Sequence, residues 1–178
     1  MITIKRIERI SPEVQLPNYP FKVFGRLIPT YDGSQWHYHK EILPTSEWQE
    51  MTFPDEDYQY EEMKTNHYFV GAYNEQEECV ALAIFQDDWF KYLYLSDIKV
   101  MPHYRKMGIA SMLIAEGKKI ASDNQYQGLY TIAQDNNLAA CELYLANQFE
   151  IGGLNTRSYD FTPQQNKHDI YFYLNSLN

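Results

Sequence analysis

Apolar and polar positions alternate along several short runs of this chain, and in two places the alternation gives way to helical spacing. Residues Thr3 to Ile10 read as a short strand or turn, followed by a proline-bounded loop from Ser11 to Pro20. From Phe21 the run FKVFGRLIP alternates, and WHYHKEI follows YDGSQ, which predicts two strands joined through an Asp-Gly turn. The segment PDEDYQYEEM predicts a helix beginning near Pro54 with an acidic first turn. HYFVGAYN and ECVALAIFQ flank NEQE as a second hairpin, and Trp89 to Pro102 adds a third strand, so the three form a meander. Gly108 to Ala121 (GIASMLIAEGKKIA) has helical periodicity. GLYTIA is a short strand ending at Gln134. A second helix follows, with Asp135 or Asn136 as its cap and Leu138, Cys141, Leu143 and Leu145 as its apolar positions. NTRSYDF and HDIYFYL predict two closing strands. Strands at both ends and αβ alternation in the middle predict an α+β fold, a mixed sheet with helices on its faces, as one domain over residues 1–178.

Composition changes this picture in two respects. Sixteen tyrosines, nine phenylalanines and three tryptophans make the chain strongly aromatic, and the formal charge of -9 makes it acidic. An acidic surface excludes nucleic acid and anionic membrane as expected partners and favours cationic small molecules. No apolar window approaches the length of a membrane span, and charges interrupt the N-terminal run MITIKRIERI, so the expectation is a cytoplasmic protein. Cys79 and Cys141 lack a paired spacing and read as small core residues. His37 and His39 share one face of a predicted strand, but no third ligand is evident and no metal is expected. Sequence alone leaves a homodimer open.

Against this acidic background, Lys99, His103, Arg105 and Lys106 cluster around one loop. In that loop Arg105, Gly108 and Ala110 form R-x-x-G-x-A between a strand and a helix. The first amides of a helix lack internal partners and sit at the positive end of its dipole, so small residues there let an anion such as a pyrophosphate approach the backbone. The glycine spacing differs from the dinucleotide fingerprint, and no G-K-[ST] follows, which excludes a P-loop.

The loop resembles the acyl-CoA signature Q/R-x-x-G-x-G/A of the GNAT superfamily of N-acetyltransferases, although many members carry glycine where this chain has Lys106 and Met107. The second helix adds Asn137, Ala140, Leu143, Tyr144 and Phe149, similar to the GNAT pattern N-x-x-A-x-x-L-Y-x-x-x-G-F, with Gln148 in place of the glycine. PFKVFGRLIPTYDGSQW, YLYLSDIKV and AQDNNLAACELY look like the streptothricin acetyltransferase branch, which inactivates a cationic antibiotic. The resemblance implies a GNAT fold with a mostly antiparallel sheet, and acetyl-CoA as cosubstrate. It also implies a cosubstrate site made of Ile98, Lys99, Val100, Arg105, Lys106, Met107, Gly108, Ile109, Ala110, Ser111, Asn137 and Tyr144. The implied reaction is acetylation of an amine on the β-lysine part of streptothricin, giving resistance. Rival readings are a GNAT enzyme for an aminoglycoside, polyamine or protein amine, and a non-catalytic acyl-CoA-binding module.

An alkylammonium must lose a proton before it attacks a thioester, so a base is required. Asp97 is the nearest candidate, with Tyr94 and the glutamates of the acidic segment as alternatives. Amides of a splayed or bulged strand at Ile98 to Val100 are candidate oxyanion donors. The tyrosine that the family uses to assist thiolate departure falls on Tyr144.

Overall fold

The computed structural model describes residues 1–175, and the chain folds as two compact units. The first comprises Met1–Tyr19, Thr52–Leu129 and Asn175, and the second Pro20–Met51 and Tyr130–Leu174.

In the first unit, β1 (Thr3–Ile7), β6 (His67–Tyr73), β7 (Cys79–Gln86) and β8 (Leu93–Val100) pair in that order, every neighbour antiparallel. The meander expected from the sequence is therefore present, but its third strand starts at Leu93, because Trp89 and Phe90 lie in the bend before it. β7 reads CVALAIFQ and is buried along its middle, as an apolar run covered on both faces should be. Ile7, Val14, Leu16, Tyr60, Phe69, Leu82 and Ile84 form a core cluster, with Tyr58 and Met101 packed against it. Helix α2 (Ile109–Asp123) lies on β6, β7 and β8 and buries Leu113, Ile114, Gly117, Ile120 and Ala121. The acidic segment departs from expectation: only Tyr60–Met63 is helical (α1), and residues 54–59 form no regular element. After Pro54 the run DEDYQ offers just one apolar-bodied side chain, so no stripe exists to hold a longer helix down.

In the second unit, β3 (Gly25–Tyr31) and β4 (Trp36–Ile42) form the hairpin across the Asp-Gly turn. The start of the predicted first strand is separate, since β2 (Phe21–Val23) pairs with β5 (Gln49–Met51). β9 (Gly128–Gln134), β11 (Asp169–Asn175) and β10 (Glu150–Asn155) lie in that order, and β10 and β11 are antiparallel. The strand expected at NTRSYDF is displaced: β10 runs from Glu150, and residues 156–161 are bends and turns. Helix α3 (Leu138–Ala146) is capped by Asn137, whose side chain accepts from the Ala140 N–H at 3.3 Å, rather than by Asp135 or Asn136. Asp135 is unavailable as a cap because it is 2% exposed and ion-paired with Arg26 at 3.5 Å.

Candidate active site

The loop that the motif singled out is built in the first unit. β8 ends at Val100, a short 3-10 turn covers Pro102–Tyr104, and α2 begins at Ile109. The Arg105 side chain folds back so that its Nε donates to the Val100 carbonyl at 3.2 Å. Lys106 and Gly108 both take left-handed backbone, with φ of 61° and 79°. Glycine adopts that conformation without a Cβ penalty; lysine does so at a cost of about 1–2 kcal/mol. The loop thus takes, at Lys106, a backbone that glycine would adopt without strain. At Gly108 a Cβ would meet nothing within 4 Å, and no side chain caps the helix start. The start of α2 thus has no side-chain cap and follows an exposed surface carrying His103, Arg105 and Lys106.

Lys99 does not belong to that surface. Its side chain is 4% exposed, and Nζ lies 2.6 Å from Glu56 Oε2, 3.2 Å from Asp97 Oδ2 and 3.2 Å from the Leu16 carbonyl. The basic island is three residues, not four. On the side paired with β7, the strand irregularity precedes Ile98 to Val100. Ile98, Lys99 and Val100 pair regularly with Ala83, Leu82 and Ala81, and the register shifts at Ser96, the extra residue between the pairs Leu95↔Phe85 and Asp97↔Ile84. The bulge precedes Asp97 and re-aims it. Asp97 accepts a hydrogen bond from the Tyr58 hydroxyl at 2.7 Å. Burial pushes its carboxyl up from the ordinary value, against the opposing pull of Lys99 and the Tyr58 hydroxyl. Burial and the neighbouring Asp97 also push the Tyr58 phenol well above its ordinary range.

Sequence reasoning missed Tyr58 and Glu56 as partners of Asp97 and Lys99. They lie 39 and 43 positions away from them along the chain, and local periodicity carries no signal for such a pairing.

The second motif forms in the other unit. Phe149 N–H donates to the Tyr144 carbonyl at 3.0 Å and Gln148 N–H to the Leu145 carbonyl at 3.1 Å, the two bonds of a Schellman ending. Gln148 is left-handed at φ 67°, and the Phe149 and Tyr144 rings lie 5.5 Å apart. The spacing L-Y-x-x-x-G-F is therefore the chemistry of a helix stop, with the aromatic pair closing over it. Tyr144 is 5% exposed and also packs against Phe172. Burial pushes the Cys141 thiol up to about 12 and the Cys79 thiol up to about 11. His37 is held by Asp32 at 2.8 Å, and among the described residues no group of three or more His, Cys, Asp or Glu is placed to hold a metal. No described helix is long and apolar enough to cross a membrane.

A bulged strand leading through a left-handed basic turn to an uncapped helix start is a place where an anionic group such as a phosphate can be held. Comparison with known proteins makes that reading specific. The acetyltransferase (GNAT) family profile matches residues 35–149, and the chain belongs to this family. Streptothricin acetyltransferase A of Bacillus subtilis (strain 168) is 31% identical over 157 residues, covering 88% of this chain and 90% of that protein. Streptothricin acetyltransferase of Escherichia coli is 33% identical over 104 residues, 58% of this chain and 59% of that one. A provisionally named streptothricin acetyltransferase from Bacillus anthracis (strain Ames), solved with acetyl coenzyme A, superposes with a TM-score of 0.83. That likeness comes at 25% identity over 98% of this chain and 97% of that one.

Proposed function

We propose that this acetyltransferase uses acetyl-CoA to acetylate an amine on the β-lysine part of streptothricin, and so gives resistance to that antibiotic. The observation that carries the substrate assignment is the 31% identity to Bacillus subtilis streptothricin acetyltransferase A across 88% of this chain. Acetyl-CoA as cosubstrate is supported by the basic left-handed turn at the start of α2 and by the acetyl coenzyme A in the Bacillus anthracis structure. The family match runs from residue 35 to residue 149 and so includes parts of both compact units, which supports treating residues 1–178 as a single catalytic domain.

Acetyl-CoA supplies the activated acetyl group and a thiol leaving group. Arg105 and Lys106, with the amides of Met107 to Ser111, bind its pyrophosphate, and the strand residues Ile98, Lys99 and Val100 offer backbone to its pantetheine arm. Asn137 holds the start of α3 in place. Asp97 accepts the proton that the alkylammonium must lose. Its burial makes it a stronger base than an exposed aspartate, which narrows the gap to an ammonium pKa near 10.4. Tyr144 donates a proton to the departing thiolate. Most of the acceleration comes from holding amine and thioester together.

The test is a thiol-release assay with acetyl-CoA and a panel of amines comprising streptothricin, an aminoglycoside, a polyamine and a lysine peptide. Streptothricin is expected to show the highest kcat/KM. Turnover of another amine with none of streptothricin overturns the substrate assignment and leaves the family intact.

A further inference from the structure

The ammonium of Lys99 is the meeting point of three segments of the first unit. Glu56 Oε2 at 2.6 Å comes from the irregular stretch after Pro54, Asp97 Oδ2 at 3.2 Å from β8, and the Leu16 carbonyl at 3.2 Å from the N-terminal loop. The Tyr58 ring lies 5.2 Å from the same nitrogen, and the Tyr58 hydroxyl donates to Asp97. Asn18 ties the stretch down further, its amide donating to Asp55 at 2.5 Å and its side chain to the Pro54 carbonyl at 2.8 Å and to Glu56 at 3.0 Å. Lys99 is 4% exposed although Glu56 is 39% exposed, and burying an ammonium in this way is a poor means of gaining stability, since a well-packed apolar residue of similar volume often does as well or better. The cluster also holds two carboxylates for one ammonium. Lys99 leaves one negative charge over, next to the residue assigned as base, and a second ammonium is the group that would balance it.

We propose that Lys99 is a positioning residue for amine acetylation: its ammonium ties the Pro54–Tyr58 stretch to β8 and fixes the Asp97 carboxylate where an acceptor ammonium meets it. The proposal rests on the reading of Asp97 as the base. The groups facing Asp97 are the Tyr58 hydroxyl, Lys99 and Glu56, with Tyr94 acting on Tyr58. Their signs differ. Lys99 favours the ionised carboxylate and Glu56 disfavours it, so neutralising each should move the Asp97 titration in opposite directions, and a rise in acceptor KM without a change in acetyl-CoA Kd separates positioning from a merely structural ion pair.

The experiment is a carboxyl-carbon NMR titration of protein labelled with ¹³C at aspartate, with Asp97 assigned by its loss in Asp97→Asn, alongside steady-state kinetics with streptothricin. Lys99→Met should raise the Asp97 midpoint by about one pH unit or more and Glu56→Gln should lower it, while Lys99→Arg stays near wild type. Lys99→Met should also raise the acceptor KM by about tenfold, with the acetyl-CoA Kd changed less than about twofold. If Lys99→Met does not fold, the downward shift in Glu56→Gln and the retained midpoint in Lys99→Arg carry the same test. Midpoints that stay put or move together, in a protein whose Asp97→Asn variant is inactive, overturn the role of Lys99 and leave the base assignment standing. Wild-type turnover in Asp97→Asn overturns both.

Discussion

Lys106 and Gln148 stand at two of the three positions where the family patterns carry glycine and this chain does not, Met107 being the third, and both have left-handed backbone, with φ of 61° and 67°. At those two positions the chain takes, with side chains attached, a backbone that glycine would adopt without strain. At Gln148, the C′ position of α3, glycine would remove about 1–2 kcal/mol of Cβ strain and cost about 0.5–1 kcal/mol of unfolded-state entropy. Strain wins, so Gln148→Gly should stabilise the protein by up to about 1 kcal/mol, read as a rise in the denaturant midpoint with an unchanged slope. A lower midpoint would show that the Gln148 side chain holds something the backbone argument omits. Tyr144 calls for the complementary substitution. Its ring packs at 5.5 Å on both Phe149 and Phe172, and Tyr144→Phe keeps that packing while removing only the hydroxyl. A proton donor to the thiolate acts mainly in the transition state, so kcat should fall by about tenfold to a thousandfold with the acetyl-CoA Kd nearly constant. Unchanged kcat would reduce Tyr144 to a packing residue.

Elements differ in how far the sequence reveals them. β7, β8 and α2 were legible because each carries its own period: an unbroken apolar run, a β-branched and aromatic run, and a helical stripe. The loop between β8 and α2 was legible because its chemistry is local, with small and basic residues within seven positions from Arg105 to Ser111. The stretch from Pro54 to Gln59 was not. Its carboxylates suggested a helix start, whereas long-range partners decide its shape: Asn18 for Asp55 and Lys99 for Glu56. The same loss of locality hid the burial of Lys99, which looks like one more charge of a basic loop until Glu56 and Tyr58 are brought to it. Helix α2 supplies a test at this scale. Gly117 faces β7, and a Cβ there would sit 2.2 Å from the Phe85 ring, which is fully buried and has no room to retreat. Gly117→Ala gains about 1 kcal/mol of helix propensity, but overpacking of this kind costs about 1–3 kcal/mol. The clash should prevail and lower Tm by several degrees. A Tm at or above wild type would mean that α2 lifts from β7 without loss.

The charge of the whole molecule, -9, acts on the two substrates in opposite senses. A polycationic acceptor such as the proposed one would be drawn to the protein from beyond contact distance, and a polyanionic cosubstrate would be repelled except near the exposed basic turn of His103, Arg105 and Lys106. Not every carboxylate of the acidic segment is free to contribute by itself. Asp55 and Glu56 are committed to Asn18 and Lys99, and Glu61 is paired with Lys64, so the attraction is a property of the summed field and not of one residue. Such a field is screened over about 30 Å at 0.01 M salt and over about 8 Å at 0.15 M. Raising the salt across that range should therefore lower kcat/KM for the cationic acceptor, and that decline should become shallower when the amine used has a single positive charge. The acetyl-CoA dependence should be shallower, because long-range repulsion and local attraction are screened together and offset each other. Steady-state assays at fixed pH, with sodium chloride as the only variable, separate the two slopes. Equal slopes for both substrates would show that the net charge of the chain plays no part in acceptor capture.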